Sequence, residues 1–167
     1  GIVWYTAQRS GHLGRLDPSD GKVNLISLGP TASPHGVIIG PDGAPWVTDS
    51  GTNSIVRVDA RTREVKRWPL PEARGYVNLN TATFDKRGRI WFTGQNGVYG
   101  RLDPATGALR VWDAPRAPGA YGIATTVTAL GVACMIAMTF GAPLWLVYLT
   151  VALYGIGHSA GNPTYGA

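Results

Sequence analysis

The strongest constraint on what this chain can fold into is a repeat. Three segments align on a tryptophan: Ile2-Val-Trp-Tyr-Thr6, Ala44-Pro-Trp-Val-Thr-Asp49 and Arg89-Ile-Trp-Phe-Thr93. Trp4, Trp46 and Trp91 are 42 and 45 residues apart. A second matching strand follows each, over Leu13 to Asp17, Ile55 to Asp59 and Tyr99 to Asp103. A turn and a third strand come next, over Lys22 to Leu28, Glu64 to Leu70 and Ala108 to Asp113. Ahead of the second and third tryptophans, Val37 to Gly43 matches Ala82 to Gly88 as a strand and turn. Four short strands in a period of this length are the pattern of a β-propeller blade. Ile55, Arg57 and Asp59 alternate with Val56 and Val58, which predicts sheets stacked face to face. Asp-Gly and Asp-Pro-x-x-Gly turns supply the positive φ that tight hairpins need. The recurrent tryptophan is expected to fill the space between neighbouring blades.

Counting strands gives three of one blade, two whole blades, and the first strand of another at Tyr121 to Ile123. The expected fold class is therefore mostly β, a partial propeller of about 2.75 four-stranded blades over residues 1–123, followed by an apolar α-helical hairpin over residues 124–167. Closed propellers use four to eight blades. A stretch of this size leaves open sheet faces and unpaired edges, so by itself it is expected to be unstable.

Charge divides the chain at the same place. All 15 Lys and Arg and all 10 Asp and Glu lie at or before Arg116. The net charge of +5 is dispersed, and its two small clusters, Arg61 to Arg67 and Lys86 to Arg89, flank turn signals. They read as solvated hairpin tips, and no nucleic-acid partner is expected. The single cysteine, Cys134, excludes an intrachain disulfide. No signal peptide is expected, since Gly1-Ile2-Val3-Trp4 already reads as a strand. Neither a Ser-His-Asp order, a Gly-rich phosphate loop nor a Cys/His metal spacing is present.

The tail has a different character. Ala124 to Phe140, Gly141-Ala-Pro143 and Leu144 to Gly157 form a nearly uncharged run, as expected for membrane-spanning helices. Pro143 marks the turn of the hairpin. Small residues at Ala129, Ala133, Ala137 and Gly141 form a ladder that lets membrane helices approach closely. Leu153-Tyr-Gly-Ile-Gly-His-Ser-Ala-Gly-Asn-Pro163 resembles a helix of the major facilitator superfamily of transporters, with His158 as its intramembrane polar residue. A buried soluble helical hairpin is the alternative. Nothing in propeller closure calls for such a segment, so the junction near Ile123 to Thr125 reads as a gene fusion, frameshift or chimera.

The phrase Pro34-His35-Gly36-Val-Ile-Ile-Gly-Pro-Asp-Gly43-x-x-Trp46-Val-Thr48-Asp49 resembles the blade motif of the virginiamycin B (streptogramin B) lyase family. The resemblance covers residues 1–123 and implies a seven-bladed parent with its site at the mouth of the central channel. It implies eliminative opening of a depsipeptide ester, with a His as proton-abstracting base and Mg²⁺ held by an acid on a following strand. On this sequence His35 matches the catalytic His, and Asp49 stands where the motif's metal-binding acid falls. Ser33 replaces an acid of the active enzymes. The positions equivalent to His35 in later blades are Asn80 and Tyr121, and those equivalent to Asp49 are Ala7 and Gly94. Mg²⁺ prefers an octahedral oxygen set, and one short carboxylate is a thin contribution to it. Each residue has a plainer reading beside this one. His35 can be kept for packing or channel hydrogen bonding, and Asp49 to Asn53 can be an Asx-capped hairpin turn. Asn78, Asn80, Gln95 and Asn96 are candidate channel-mouth polar groups, as is Tyr121.

The expected function is that of a streptogramin-lyase-like fragment, Mg²⁺-dependent in its parent and inactive as this chain. The alternatives are a non-catalytic ligand-binding propeller anchored to a membrane, and a membrane-transport fragment in a chimeric gene. The expected partners are a small-molecule or cyclic depsipeptide ligand and, through the hairpin, a membrane. The compartment is the membrane if the tail is genuine, and otherwise the cytoplasm or the exterior. No feature sets the oligomeric state.

Overall fold

The structure, a computed structural model, describes residues 1–115 and 119–123. The expected helical hairpin, its membrane contact, the transporter-like stretch and His158 all lie outside the described residues. Among the described residues no helix is long and apolar enough to cross a membrane.

Among the described residues eleven strands form three antiparallel sheets in chain order. The first sheet holds β1 (Val3–Ala7), β2 (His12–Leu16) and β3 (Val23–Ser27). The second holds β4 (Pro34–Ile39), β5 (Pro45–Asp49), β6 (Ser54–Val58) and β7 (Val65–Pro69). The third holds β8 (Leu79–Phe84), β9 (Ile90–Gly94), β10 (Val98–Leu102) and β11 (Leu109–Asp113). Among the described residues the only helical elements are two single 3-10 turns, Gln8–Ser10 and Glu72–Arg74. Register confirms that the repeat is structural: Trp4 lies opposite Arg15, Trp46 opposite Arg57 and Trp91 opposite Arg101. β1 is thus the counterpart of β5 and β9, and the first sheet lacks an inner strand among the described residues.

Period-2 alternation gives each sheet two apolar faces, and the core lies between the sheets. Leu13 and Ile26 of the first sheet pack with Val47, Val56 and Val58 of the second. Trp46 and Ile55, on the opposite face of the second, pack with Ile90, Phe92, Val98 and Leu102 of the third. Trp46 stacks on Trp68 of its own blade at 5.2 Å and meets Phe84 of the next blade edge-on at 5.6 Å. That is the gap-filling role expected of the recurrent tryptophan. On the far side of the first sheet no described sheet covers Val3, Tyr5, Val23 and Leu25, which are exposed. Val47, the counterpart of Tyr5 one blade later, is completely buried. The contrast marks the open face that counting strands predicts.

Two inner strands begin earlier than predicted. β4 starts at Pro34 and β8 at Leu79, three residues before Val37 and Ala82. Each extension contains a β-bulge, with pairing passing from Pro34↔Asp49 to Gly36↔Thr48, and from Leu79↔Gly94 to Ala82↔Phe92. An extra residue breaks strict alternation and hides the strand start from a pattern reading. Tyr121 to Ile123, predicted as a further inner strand, joins no ladder among the described residues.

Candidate channel-mouth site

The bulges matter because of what sits on them. His35 is the unpaired residue of the first bulge, and Asn80 occupies the same place in the second. A bulge re-aims a side chain that regular pleating would send to one sheet face. Here it brings side chains from two consecutive inner strands together, with Asn80 Nδ2 3.5 Å from His35 Nε2. Asn80 is buried and His35 half-buried.

The backbone at these positions is held by a threonine that recurs in every blade. Thr6 Oγ1 donates to the His35 carbonyl at 2.8 Å, Thr48 Oγ1 to that of Asn80 at 2.5 Å, and Thr93 Oγ1 to that of Tyr121 at 2.8 Å. Thr6 and Thr48 therefore reach from one blade to the inner strand of the next, and Thr93 reaches the segment that follows the third sheet. Thr48 also accepts the Gly36 N–H at 3.0 Å, and Thr93 that of Thr81 at 3.4 Å, which pins the bulge within the blade. These threonines were not among the predicted site residues. Their signal was present as the Trp-x-Thr shared by all three repeats.

Gly36 belongs to the same clamp. A Cβ there would lie 2.8 Å from the Asn80 carbonyl oxygen, so only glycine lets the two inner strands approach this closely.

Asp49 has another task. Its side chain is completely buried. Its Oδ1 accepts the N–H of Ser33 at 2.7 Å, Gly51 at 3.1 Å and Thr52 at 3.4 Å, and its Oδ2 accepts Thr52 Oγ1 at 2.6 Å. This is the Asx-capped turn, extended to tie the start of β4 to the β5–β6 hairpin. Ser33 completes the tie, its carbonyl accepting from Ser50 N at 3.1 Å and Ser50 Oγ at 3.0 Å. A carboxylate whose two oxygens already accept four hydrogen bonds in a closed turn does not fit a Mg²⁺ ligand, which must face an open oxygen cage. In this structure the expected metal ligand Asp49 is committed to that turn. Among the described residues no group of three His, Cys, Asp or Glu is placed to hold a metal ion.

The other predicted polar residues lie in the loops at the same end of the sheets, Gln95 and Asn96 in a turn. Asn78 has a left-handed φ of 53° and accepts the Gln95 N–H through its carbonyl at 2.9 Å, the counterpart of the Ser33–Ser50 contact. Its Oδ1 also accepts Tyr76 Oη at 3.1 Å. Asn96 Nδ2 donates to the Tyr76 carbonyl at 2.8 Å, and the Gln95 carbonyl accepts from Gly119 N at 2.9 Å. Tyr121 contributes its carbonyl to the threonine series while its side chain is exposed. Of the predicted set the structure brings together the side chains of His35 and Asn80. Asn78, Gln95 and Asn96 build the loops beside them.

Shifted carboxylates lie at the opposite end of the sheets. Burial works against ionisation of Asp42, yet hydrogen bonds from Arg57, Trp46 and the Ala44 N–H hold its pKa below the usual range. Burial likewise opposes ionisation of Asp85, and donors from Trp91, Arg89 and Arg87 outweigh it by a wide margin. Both carboxylates accept a tryptophan Nε1–H, from Trp46 at 3.2 Å and from Trp91 at 2.9 Å, and so orient the blade tryptophans. They are structural anchors, remote from the rim that carries His35.

Comparison with known proteins places this geometry. Over 82 residues the chain is 37% identical to a gluconolactonase of Zymomonas mobilis, covering 47% of this chain and 22% of that protein. A catalytically inactive variant of virginiamycin B lyase from Staphylococcus aureus, solved with quinupristin, matches with a TM-score of 0.62 and 26% identity over 69% of this chain. A streptogramin B lyase structure matches with a TM-score of 0.63 and 28% identity over 70% of this chain. The chain spans 38% of the length of each of these two lyase structures. The model of the virginiamycin B lyase family matches residues 1–141, most of the sequence, and the chain belongs to that family.

Proposed function

We propose that these blades form part of the channel wall of a lyase-type propeller. The mouth that carries His35 and Asn80 takes a small cyclic, ester-containing ligand of the depsipeptide class, and this chain alone does not turn it over. The observation that carries the reading is the pair of bulged inner strands, which bring an imidazole and an amide to one rim. In an elimination a base removes the proton α to a carbonyl, the electron pair forms the new C=C bond, and the β C–O bond breaks to release a carboxylate. A neutral imidazole is suited to that proton, and His35 is half-buried at the rim. The committed oxygens of Asp49 argue against completion of the reaction by these blades, so a Mg²⁺ ion would draw its ligands from outside them. The lyase solved with quinupristin supports the ligand class.

The test is calorimetric titration of the full chain with quinupristin in Mg²⁺ buffer, beside chromatographic detection of the linearised product. Binding without product is expected, weakened at least tenfold in His35→Ala. Robust Mg²⁺-dependent turnover would overturn the proposed inactivity. Unchanged affinity in His35→Ala would remove the ligand from this rim.

A further inference from the structure

We propose that two copies of this chain join head to tail, the third sheet of each covering the open face of the other's first sheet, so that six sheets close one ring. The inference is independent of the ligand proposed above. It starts from how the sheets of one chain already pack.

Each sheet has two unlike faces, and one kind always meets the other. In the second sheet one face carries Trp46, Ile55 and Trp68, and it packs on the face of the third that carries Ile90, Phe92 and Leu102. In the same sense Leu13 and Ile26 of the first sheet pack on Val47, Val56 and Val58 of the second. Two faces are left over. On the first sheet, Val3, Tyr5, Val23 and Leu25 are 37% to 55% exposed, although the register makes Tyr5 the counterpart of the fully buried Val47 and Phe92. On the third sheet, Trp91, Tyr99 and Trp112 take the places of Trp46, Ile55 and Trp68. Trp112 stacks on Tyr99 at 5.4 Å and on Trp91 at 6.1 Å, and all three stay half-buried where Trp46 and Ile55 are 3% and 0% exposed. No described sheet packs on this aromatic face. The leftover faces are thus the two kinds that pack together inside the chain, and burying them against each other removes apolar surface from water.

A second observation points to the same occupant. Thr93 Oγ1 holds the Tyr121 carbonyl at 2.8 Å just as Thr6 and Thr48 hold those of His35 and Asn80. Tyr121 therefore stands where the inner strand of a following blade begins, yet it joins no ladder among the described residues, and β1 has no inner partner there. Each end of the chain has what the other lacks. With Tyr121 in the bulged place, the pairings Gly36↔Thr48 and Val37↔Val47 carry over as Gly122 opposite Thr6 and Ile123 opposite Tyr5 of the second copy. Such an added strand gives the free β1 edge backbone partners.

Closure sets the number of copies. A head-to-tail contact makes a ring if its rotation closes and a filament if it does not. Three sheets per chain give six for two copies and nine for three. Propellers close with about four to eight blades, which selects two.

The experiment is sedimentation equilibrium of the full chain in a density-matched non-ionic detergent. The expected mass is twice that of one chain. Leu25→Glu puts a charge on the open face of the first sheet at an exposed position, and Tyr99→Glu puts one on the aromatic face of the third. Each variant alone is expected at the mass of one chain. Mixed in equal amounts they recover the pair, because one keeps an intact third sheet and the other an intact first. Where Tyr99→Glu does not fold, Arg110→Glu, at an exposed position on the same face, takes its place. A single-chain mass for the unmodified protein overturns the proposal, since a segment of the same chain then covers the face. A pair that persists in either variant, or a mixture that stays single, overturns it as well, since the contact then lies elsewhere or joins like faces. Failure of quinupristin to bind leaves the result standing.

Discussion

Replacing Thr48 by valine isolates the clamp between blades. Thr48 is 1% exposed, and its hydroxyl donates to the Asn80 carbonyl at 2.5 Å while accepting the Gly36 N–H at 3.0 Å. Valine has the same shape, so the packing of β5 is kept and only the hydroxyl is lost. Two buried backbone groups then lose a partner, at about 1–3 kcal/mol each. The added methyl returns about 0.8 kcal/mol of apolar burial. The net expected loss is about 1–5 kcal/mol, a large part of the roughly 5–15 kcal/mol typical of a domain. Guanidinium unfolding of the full chain, followed by tryptophan fluorescence, reads it as a lower midpoint at unchanged slope. Thr83→Val is the control. Thr83 is half-buried in β8, and its hydroxyl has no partner among the described residues, so a change within about 0.5 kcal/mol is expected. Equal losses in the two variants, or none in Thr48→Val, would refute the clamp and with it the anchoring of the His35–Asn80 pair.

Two further perturbations probe the blades themselves. Gly100→Ala places a Cβ 2.2 Å from the ring of Phe92, which is completely buried and cannot move aside. A loss of about 1–3 kcal/mol is expected from overpacking, partly relieved by a second change, Phe92→Leu; strictly additive effects would contradict the cross-strand contact. Asp85 has its folded-state pKa held low, so its contribution is fully present above its unfolded value of about 3.9 and is lost as pH falls below it. Between pH 5 and 2 the unfolding midpoint should therefore fall more steeply for the unmodified chain than for Asp85→Asn, and parallel profiles would dismiss Asp85 as an acid-sensitive anchor.

The limits of a sequence reading are visible in particular residues. Trp4, Trp46 and Trp91, with the alternation of Ile55, Arg57 and Val56, are local signals, and they carried the blade and its hairpins. The bulge at His35 left no such trace. One extra residue in β4 is stable because Thr48, on the neighbouring strand, bonds the Gly36 N–H. Asp49 shows how a motif position and its contacts can point in different directions. Its place in the motif suggested an ion ligand, whereas the N–H groups of Ser33, Gly51 and Thr52 converge on its oxygens and close the site. Asn78, Gln95 and Asn96 stand out in the sequence as polar groups beside strand ends, but the contacts that set their roles in loop closure are made across the loops.

The sequence by itself determined that this part of the chain makes face-packed antiparallel sheets of three and four short strands, because strand alternation, turn chemistry and a recurrent apolar filler act over a few residues. Only the tertiary structure decided which polar groups meet and which are sealed away. His35 and Asn80 are 45 positions apart in the chain, and their side chains come within reach only when two inner strands, each carrying a bulge, are drawn together by a threonine from the blade before.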